Sequence, residues 1–229
     1  MPGPRSLDNR PDELAAKLRT AIVEGVYPPG SRLVQDHLAE QFGVSRIPMR
    51  EAMRSLAGEG LIRSLPGRGT FVTELDLDEI DEIYDLRRLI EPSFSTAVIE
   101  RVSRRDISRF EDMATEMNGV HIIGPAAWSR HNLCFHLDMY RLAQLPLRYD
   151  VIAQLLHRLE PYSRYYVHGT GAYERVQEEH HAMVAALVAG DAEELSRQIV
   201  LHIDGGQQGL HAAWSRSGHN LHAFWAQPR

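Results

Sequence analysis

Cysteine is almost missing from this 229-residue chain, in which Cys134 stands alone. A disulfide within the chain is thereby excluded, and cysteines cannot build a zinc site. Lysine is equally scarce, with Lys17 alone among 25 basic residues. Arginine's planar fork suits bidentate contact with phosphate or a guanine edge. A GC-rich coding sequence produces the same bias, so the bias carries no weight by itself. No apolar run nears the roughly 18–20 residues of a membrane span; the longest bland stretch, Ala182 to Ala189, is far shorter. A membrane partner is therefore not expected. The opening Met1-Pro2-Gly3-Pro4-Arg5 lacks the apolar core of a secretory signal, so a cytoplasmic location is expected.

The rest of the composition is that of a soluble globular protein, with 43% hydrophobic and 24% charged residues. The length suits two compact units. The overall charge of −6 argues weakly against a nucleic-acid partner, but it is unevenly spread. Residues 1–75 hold 10 basic and 9 acidic side chains, a net of +1, whereas residues 76–229 hold 15 and 22, a net of −7. The two parts differ in character.

Residues 1–10 are Pro, Gly and polar, which predicts a frayed start. Leu14, Leu18, Ile22 and Val23 recur at helical spacing after Pro11, and Gly25 can end that helix. Tyr27-Pro28-Pro29-Gly30 signals a turn, and Arg32-Leu33-Val34 a short strand. Two short helices follow, at about Gln35 to Phe42 and from a Ser45 cap to about Glu59, parted by Gly43. Leu61 to Leu65 and Thr70 to Val72 read as strands around the turn Pro66-Gly67-Arg68-Gly69. Beyond Thr73 no strand is convincing. Asp76 or Asp78 can cap a first helix, and helices are expected at about 78–100, 103–118, 125–143, 147–168, 171–189 and 191–215. Short connections make an antiparallel bundle of about six helices the natural packing. The fold class expected is mainly α: a three-helix and hairpin unit over residues 11–74, a helical unit over 75–215, and a flexible tail over 216–229.

The helix after Ser45 carries the chemistry of the first unit. Arg46, Arg50 and Arg54 lie four apart, on the face opposite Met49, Ala52, Met53 and Leu56. Such a helix can dock in a major groove, with Pro48 in a first turn that tolerates its missing N–H. The glycines around Arg68 allow a cation close approach to a groove or phosphate. A solvated arginine face on an ordinary helix gives the same spacing; the uninterrupted order of helix, turn, helix and Gly-Arg-Gly hairpin favours DNA. This order resembles the GntR family of bacterial transcription regulators. The resemblance rests on Ile22 to Leu33, Leu38 to Ala52, Gly58 to Ile62 and Gly67 to Val72, and spans about residues 11–73. It implies a winged helix-turn-helix in which Arg46 and Arg50 contact bases or phosphates and Arg68 or Gly69 enters the minor groove. Ser45, Pro48 and Arg54 complete the expected DNA-facing set. Many relatives carry arginine where this chain has Asp36, so one contact is expected to be missing.

In the second unit, Asn132 and His136 lie four apart on one helix, with His180 and His202 on two others. Three imidazoles converging inside a bundle can bind zinc, nickel or manganese. Twelve histidines are scattered through the chain, and His121, His168, His211, His219 and His222 read as surface or tail residues. Leu75 to His202 resembles the all-helical FCD ligand-binding domain of FadR-type GntR regulators. The matching pieces are Ile83 to Pro92, Asn132 to His136, Glu179-His180, Ala185 to Ala192 and His202. That resemblance implies a divalent metal on Asn132, His136, His180 and His202, with Asn132 where an aspartate is usual. It also places Arg87 at the effector cavity, where a buried cation needs an anion: either a small carboxylate effector or an internal acid such as Glu91. Tyr84 and Tyr140 are expected to line the cavity, and Cys134 to pack as an apolar side chain. The expected function is a homodimeric regulator, a repressor, binding palindromic double-stranded operator DNA under effector control. A metal-dependent hydrolase and an effector-free DNA binder are the alternatives. Against the enzyme stands the lack of a carboxylate fixed as general base beside the histidines.

Overall fold

The computed structural model describes residues 10–118, 124–170 and 172–216. The expectations for residues 1–9 and 217–229, and for His121, His219 and His222, lie outside that range, as does the side chain of His168. The chain divides into two compact units, residues 1–75 and 76–229.

The first unit runs α1 (Pro11–Val23), β1 (Arg32–Leu33), α2 (Gln35–Gln41), α3 (Arg46–Gly58), β2 (Ile62–Leu65) and β3 (Gly69–Val72). Its three strands form an antiparallel sheet in the order β1-β3-β2, with Arg32 opposite Phe71 and Ile62 opposite Val72. The expected hairpin thus gains a third strand. Leu14, Leu18 and Ile22 share one core with Leu38, Met49, Ala52, Leu56, Leu61 and Val72. Each fully buried aliphatic side chain there contributes on the order of 1.5–3 kcal/mol. Arg19 clamps α1 to the end of α3 through a two-pronged pair with Glu59, at 2.6 and 3.1 Å.

The second unit holds α4 (Leu77–Ile90), a single 3-10 turn (Glu91–Phe94), α5 (Ser95–Arg101), α6 (Arg104–Met117), α7 (Pro125–Leu142), α8 (Pro146–Thr170), α9 (Tyr173–Ala189) and α10 (Ala192–Arg216). The single helix expected over 78–100 is therefore three pieces, and the described residues form seven α-helices in place of six. Pro92 explains the break, because it has no N–H to return to the carbonyl of Arg88. Asp76 does cap α4, in a reciprocal box with Glu79, and Ser103 caps α6 in the same way with Asp106. Gly190, at φ +67°, ends α9 in a conformation that side chains resist. α10 runs through the middle of this unit, packed against α4, α5, α8 and α9. Pro161 stands inside α8, where it removes one rung of the helical ladder beside the cavity described below.

Candidate functional site

Each unit presents one candidate site. In the first, Met49, Ala52, Met53 and Leu56 are buried under α3, which leaves Arg46, Arg50 and Arg54 exposed on the opposite face. Gly43, at φ +66°, makes the tight turn between α2 and α3. Ser45 occupies the position just before α3, but its hydroxyl makes no cap hydrogen bond, contrary to expectation. The amides of the first turn are thus left to solvent or to an anion such as phosphate. Arg46 is not a free cation: Asp36 of α2 takes its guanidinium in a forked pair, with Nε and Nη2 each 2.8 Å from a carboxylate oxygen. At the wing, Arg68 is exposed between Gly67 at φ +71° and Gly69 at φ +109°. A Cβ on Gly69 would sit 3.1 Å from Arg32 Nε, so Arg32 stands beside the wing tip. Neither the Asp36 clamp nor this placement of Arg32 follows from spacing, since both depend on how strand and helix fold back.

In the second unit, His136 of α7, His180 of α9 and His202 of α10 meet in the interior. His136 Nε2 lies 3.1 Å from His202 Nε2 and 3.4 Å from His180 Nε2, and one donor atom of each ring falls within 4.8 Å of the others. Outer partners fix two of the rings. Glu179 Oε2 is 2.9 Å from His202 Nδ1, and Gln177 Oε1 is 3.3 Å from His180 Nδ1. Gln177 is itself oriented, because its Nε2 donates to the Ala114 carbonyl and to Asn118 Oδ1. Acceptors on both Nδ1 atoms assign the ring protons there and turn the Nε2 lone pairs inward. Burial, followed by the neighbouring histidines, holds His136 and His180 well below the ordinary histidine range, so both rings are neutral. His136 Nδ1 has no hydrogen-bond partner among the described residues, so its Nε2 carries either a proton that bridges to a neighbouring ring or a lone pair that an ion can take. The donor set fits a divalent ion of borderline softness.

Asn132, one turn before His136, lines the same cavity, and its Oδ1 is buried with no hydrogen-bond partner among the described residues. The cavity, of about 530 Å³ with its mouth included, lies between α4, α7, α8 and α10. Tyr84 and Arg87 line it as expected, and Gly206 gives the Tyr84 hydroxyl room, since a Cβ there would come within 3.2 Å.

Arg87 already has its anion. It is buried, and its Nε donates to Glu91 Oε1 at 2.5 Å, while the other carboxylate oxygen accepts from Tyr140 at 2.5 Å. Burial, and then the charge of Glu91, raises the Tyr140 phenol well above its usual range, which keeps it a donor. Tyr140 is therefore a correction: it stands behind Glu91 and is absent from the cavity lining. Cys134 is a second correction, being exposed where an apolar packing residue was expected. Among the cavity residues that the sequence reading did not single out are Trp128, Ser129 and Glu160. The first two stand at i and i+1 of a stripe that continues through Asn132 to His136, so α7 did carry a signal for them. Glu160 carried none.

A winged helix-turn-helix joined to a helical unit with a histidine-lined cavity defines a ligand-responsive class of DNA-binding regulator. Comparison with known proteins gives the family: residues 11–72 match the bacterial regulatory proteins of the gntR family, and residues 82–205 match the FCD domain. The chain belongs to the GntR family of transcription regulators, in its FadR-type group with an FCD domain. This is a family of regulators and not of enzymes. The HTH-type transcriptional regulator McbR of Escherichia coli is 27% identical over 77% of this chain and 81% of its own length. LutR of Bacillus subtilis is 25% identical over 80% and 92%. The gluconate operon transcriptional repressor of B. subtilis is 43% identical, over only 41% of this chain and 37% of its own. In fold, the solved structure of E. coli McbR/YncC superposes with a TM-score of 0.75 at 24% identity, covering 92% of this chain and 98% of that one. Among the described residues no helix is long and apolar enough to cross a membrane.

Proposed function

We propose that this regulator is a homodimeric repressor whose hold on palindromic operator DNA is set by a small carboxylate bound at a metal on His136, His180 and His202. The observation that carries this reading is the meeting of three buried imidazoles, two of them in the wall of a cavity, on the same chain as an exposed arginine helix. Zinc, nickel or manganese suits those donors, with Asn132 Oδ1 as an additional oxygen ligand. When bound, the ion supplies a positive charge that attracts the acid's oxygen; the chain's own residues shape and close the rest of the pocket.

Arg50, Arg54 and the wing residues Arg68 and Gly69 are the DNA-facing groups, together with Arg46 on its Asp36 buttress and the first-turn backbone around Ser45 and Pro48. Dimer formation is supported by exposed apolar residues on neighbouring helices: Leu86 and Leu89 on α4, and Leu147 and Val151 on α8. A dimer places two reading helices on half-sites about one DNA turn apart. Acid binding favours one arrangement of the helical unit and so changes operator affinity by its differential affinity for the two. Repression is the sense suggested by the gluconate operon relative, and the protein would act on DNA in the cytoplasm. The test is elemental analysis of the purified chain beside His180→Ala. One divalent ion per chain, lost in the variant, is expected. A metal-free protein that gains no thermal stability from added zinc, nickel or manganese would overturn the metal site.

A further inference from the structure

His136 and His202 stand at one end of the cavity. Its other end holds two buried polar atoms that have no hydrogen-bond partner among the described residues: Trp128 Nε1 and Glu160 Oε2. The Glu160 side chain is 1% exposed and Trp128 likewise 1%. A buried polar group without a partner costs about 1–3 kcal/mol, and more when it is charged. Two such atoms lining one cavity form a site that lacks its ligand's complementary groups. His157 Nδ1 lies 3.9 Å from Oε2, beyond hydrogen-bond reach, and has no hydrogen-bond partner among the described residues. The position of Glu160 is fixed by its backbone: its carbonyl accepts from Ser129 Oγ at 3.0 Å, and Pro161 follows it in α8.

The chemistry of those two atoms specifies a partner. The carboxyl oxygen needs a donor, and the indole N–H needs an acceptor. A hydroxyl satisfies both; an ammonium satisfies the oxygen alone; a methyl end satisfies neither. The spacing along α7 sets the length. Asn132 is about 6 Å along the helix from His136, and Ser129, which touches Glu160, is about 10 Å away.

We infer that the effector is a short-chain carboxylic acid whose far end carries a hydrogen-bond donor, received by Glu160 Oε2, with Trp128 Nε1 donating back to it. This rests on the reading that the acid group sits at the three histidines. Plain fatty acids of the same length are then poor ligands, because they bury the two polar atoms unpaired.

The test is isothermal titration of the metal-loaded full chain with hexanoate, 6-hydroxyhexanoate and 6-aminohexanoate. The hydroxy or the amino acid should bind at least about tenfold tighter than hexanoate, and whichever wins identifies the donor. Glu160→Met should bring that ratio within about threefold, weakening the hydroxy or amino acid and tightening hexanoate, while metal content holds. Trp128→Phe, a milder change, should weaken the hydroxy acid relative to hexanoate. Equal affinity for all three acids, or a ratio that survives both substitutions, would overturn the inference and leave the acid-at-metal reading standing. Binding of none of them would overturn both.

Discussion

Glu179 Oε2 stands 2.9 Å from His202 Nδ1, on the side of the ring away from the histidine cluster. The same carboxylate is held by Arg175. A metal-binding imidazole is commonly aimed by an acceptor on its other nitrogen, which fixes the tautomer and raises its basicity. Glu179→Ala should therefore weaken metal binding about 10–100-fold with the helical content unchanged. Competition against a chelator of known affinity reads the effect; unchanged affinity would reduce Glu179 to a surface ion pair.

Arg46 and Asp36 pair in the open, on α3 and α2. In water such a pair contributes at most about 1 kcal/mol to stability, so its importance lies in orientation. Asp36→Ala should release Arg46, tighten binding to unrelated duplex and steepen the salt dependence by about one phosphate contact. Discrimination at the base pair nearest Arg46 should relax at the same time. Fluorescence anisotropy across a salt series separates these outcomes. A variant with identical slope and selectivity would show that Arg46 does not touch DNA.

Among the described residues no carboxylate forms a forked pair with Arg50, which is exposed on the same face of α3 as Arg46 and Arg54. Arg50→Ala should cost about 1–3 kcal/mol of operator binding if it reads a base edge. Its thermal unfolding should match the parent, because the residue is exposed.

Glu91 accepts from both Arg87 and Tyr140 in the interior of the helical unit. Glu91→Ala would leave the Arg87 cation buried without a counter-charge, at a cost of about 3–5 kcal/mol. Urea denaturation of the variant checks this. A loss below about 1 kcal/mol would mean that Arg87 finds water on losing its partner.

Asp106 closes the box that starts α6, accepting from the Ser103 hydroxyl and amide. Those hydrogen bonds, the hydroxyl first, hold its carboxyl below the usual aspartate value of 3.8. A depressed folded value stabilises the fold above the unfolded value and loses that contribution as pH falls through the folded one. Asp106→Ala should thus cost about 0.5–1 kcal/mol near neutrality. The cost should shrink as pH falls through the folded value. A cost that does not change with pH would assign the effect to packing.

The DNA-reading unit was legible because its signals are local. Met49, Ala52, Met53 and Leu56 announce a buried face, the glycines at 43, 67 and 69 announce turns, and the arginines fall opposite by geometry alone. The helical unit was legible to the level of its histidines, where resemblance named His136, His180 and His202 and the structure brings them together. What spacing could not convey was orientation. Tyr140 sits one turn beyond His136 and could as easily have faced the cavity; packing on Phe94, with ring centres 4.9 Å apart, turns it to Glu91 instead. Glu160 is far from every motif in sequence, and only the docking of α8 on α7 brings it to the cavity wall. The break at Pro92 was readable in principle, since proline inside a helix removes a hydrogen bond, but the apolar periodicity on both sides masked it.

The most direct measurement is selection of binding sites from a random duplex library by the purified chain, followed by affinity at fixed salt. An inverted repeat with half-sites about one helical turn apart is expected. The chain should bind it as two copies per duplex, at least about 10³-fold tighter than unrelated DNA. Enrichment of no sequence, or equal binding to every duplex by Arg50→Ala and the parent, would contradict the assignment of α3 as the reading element.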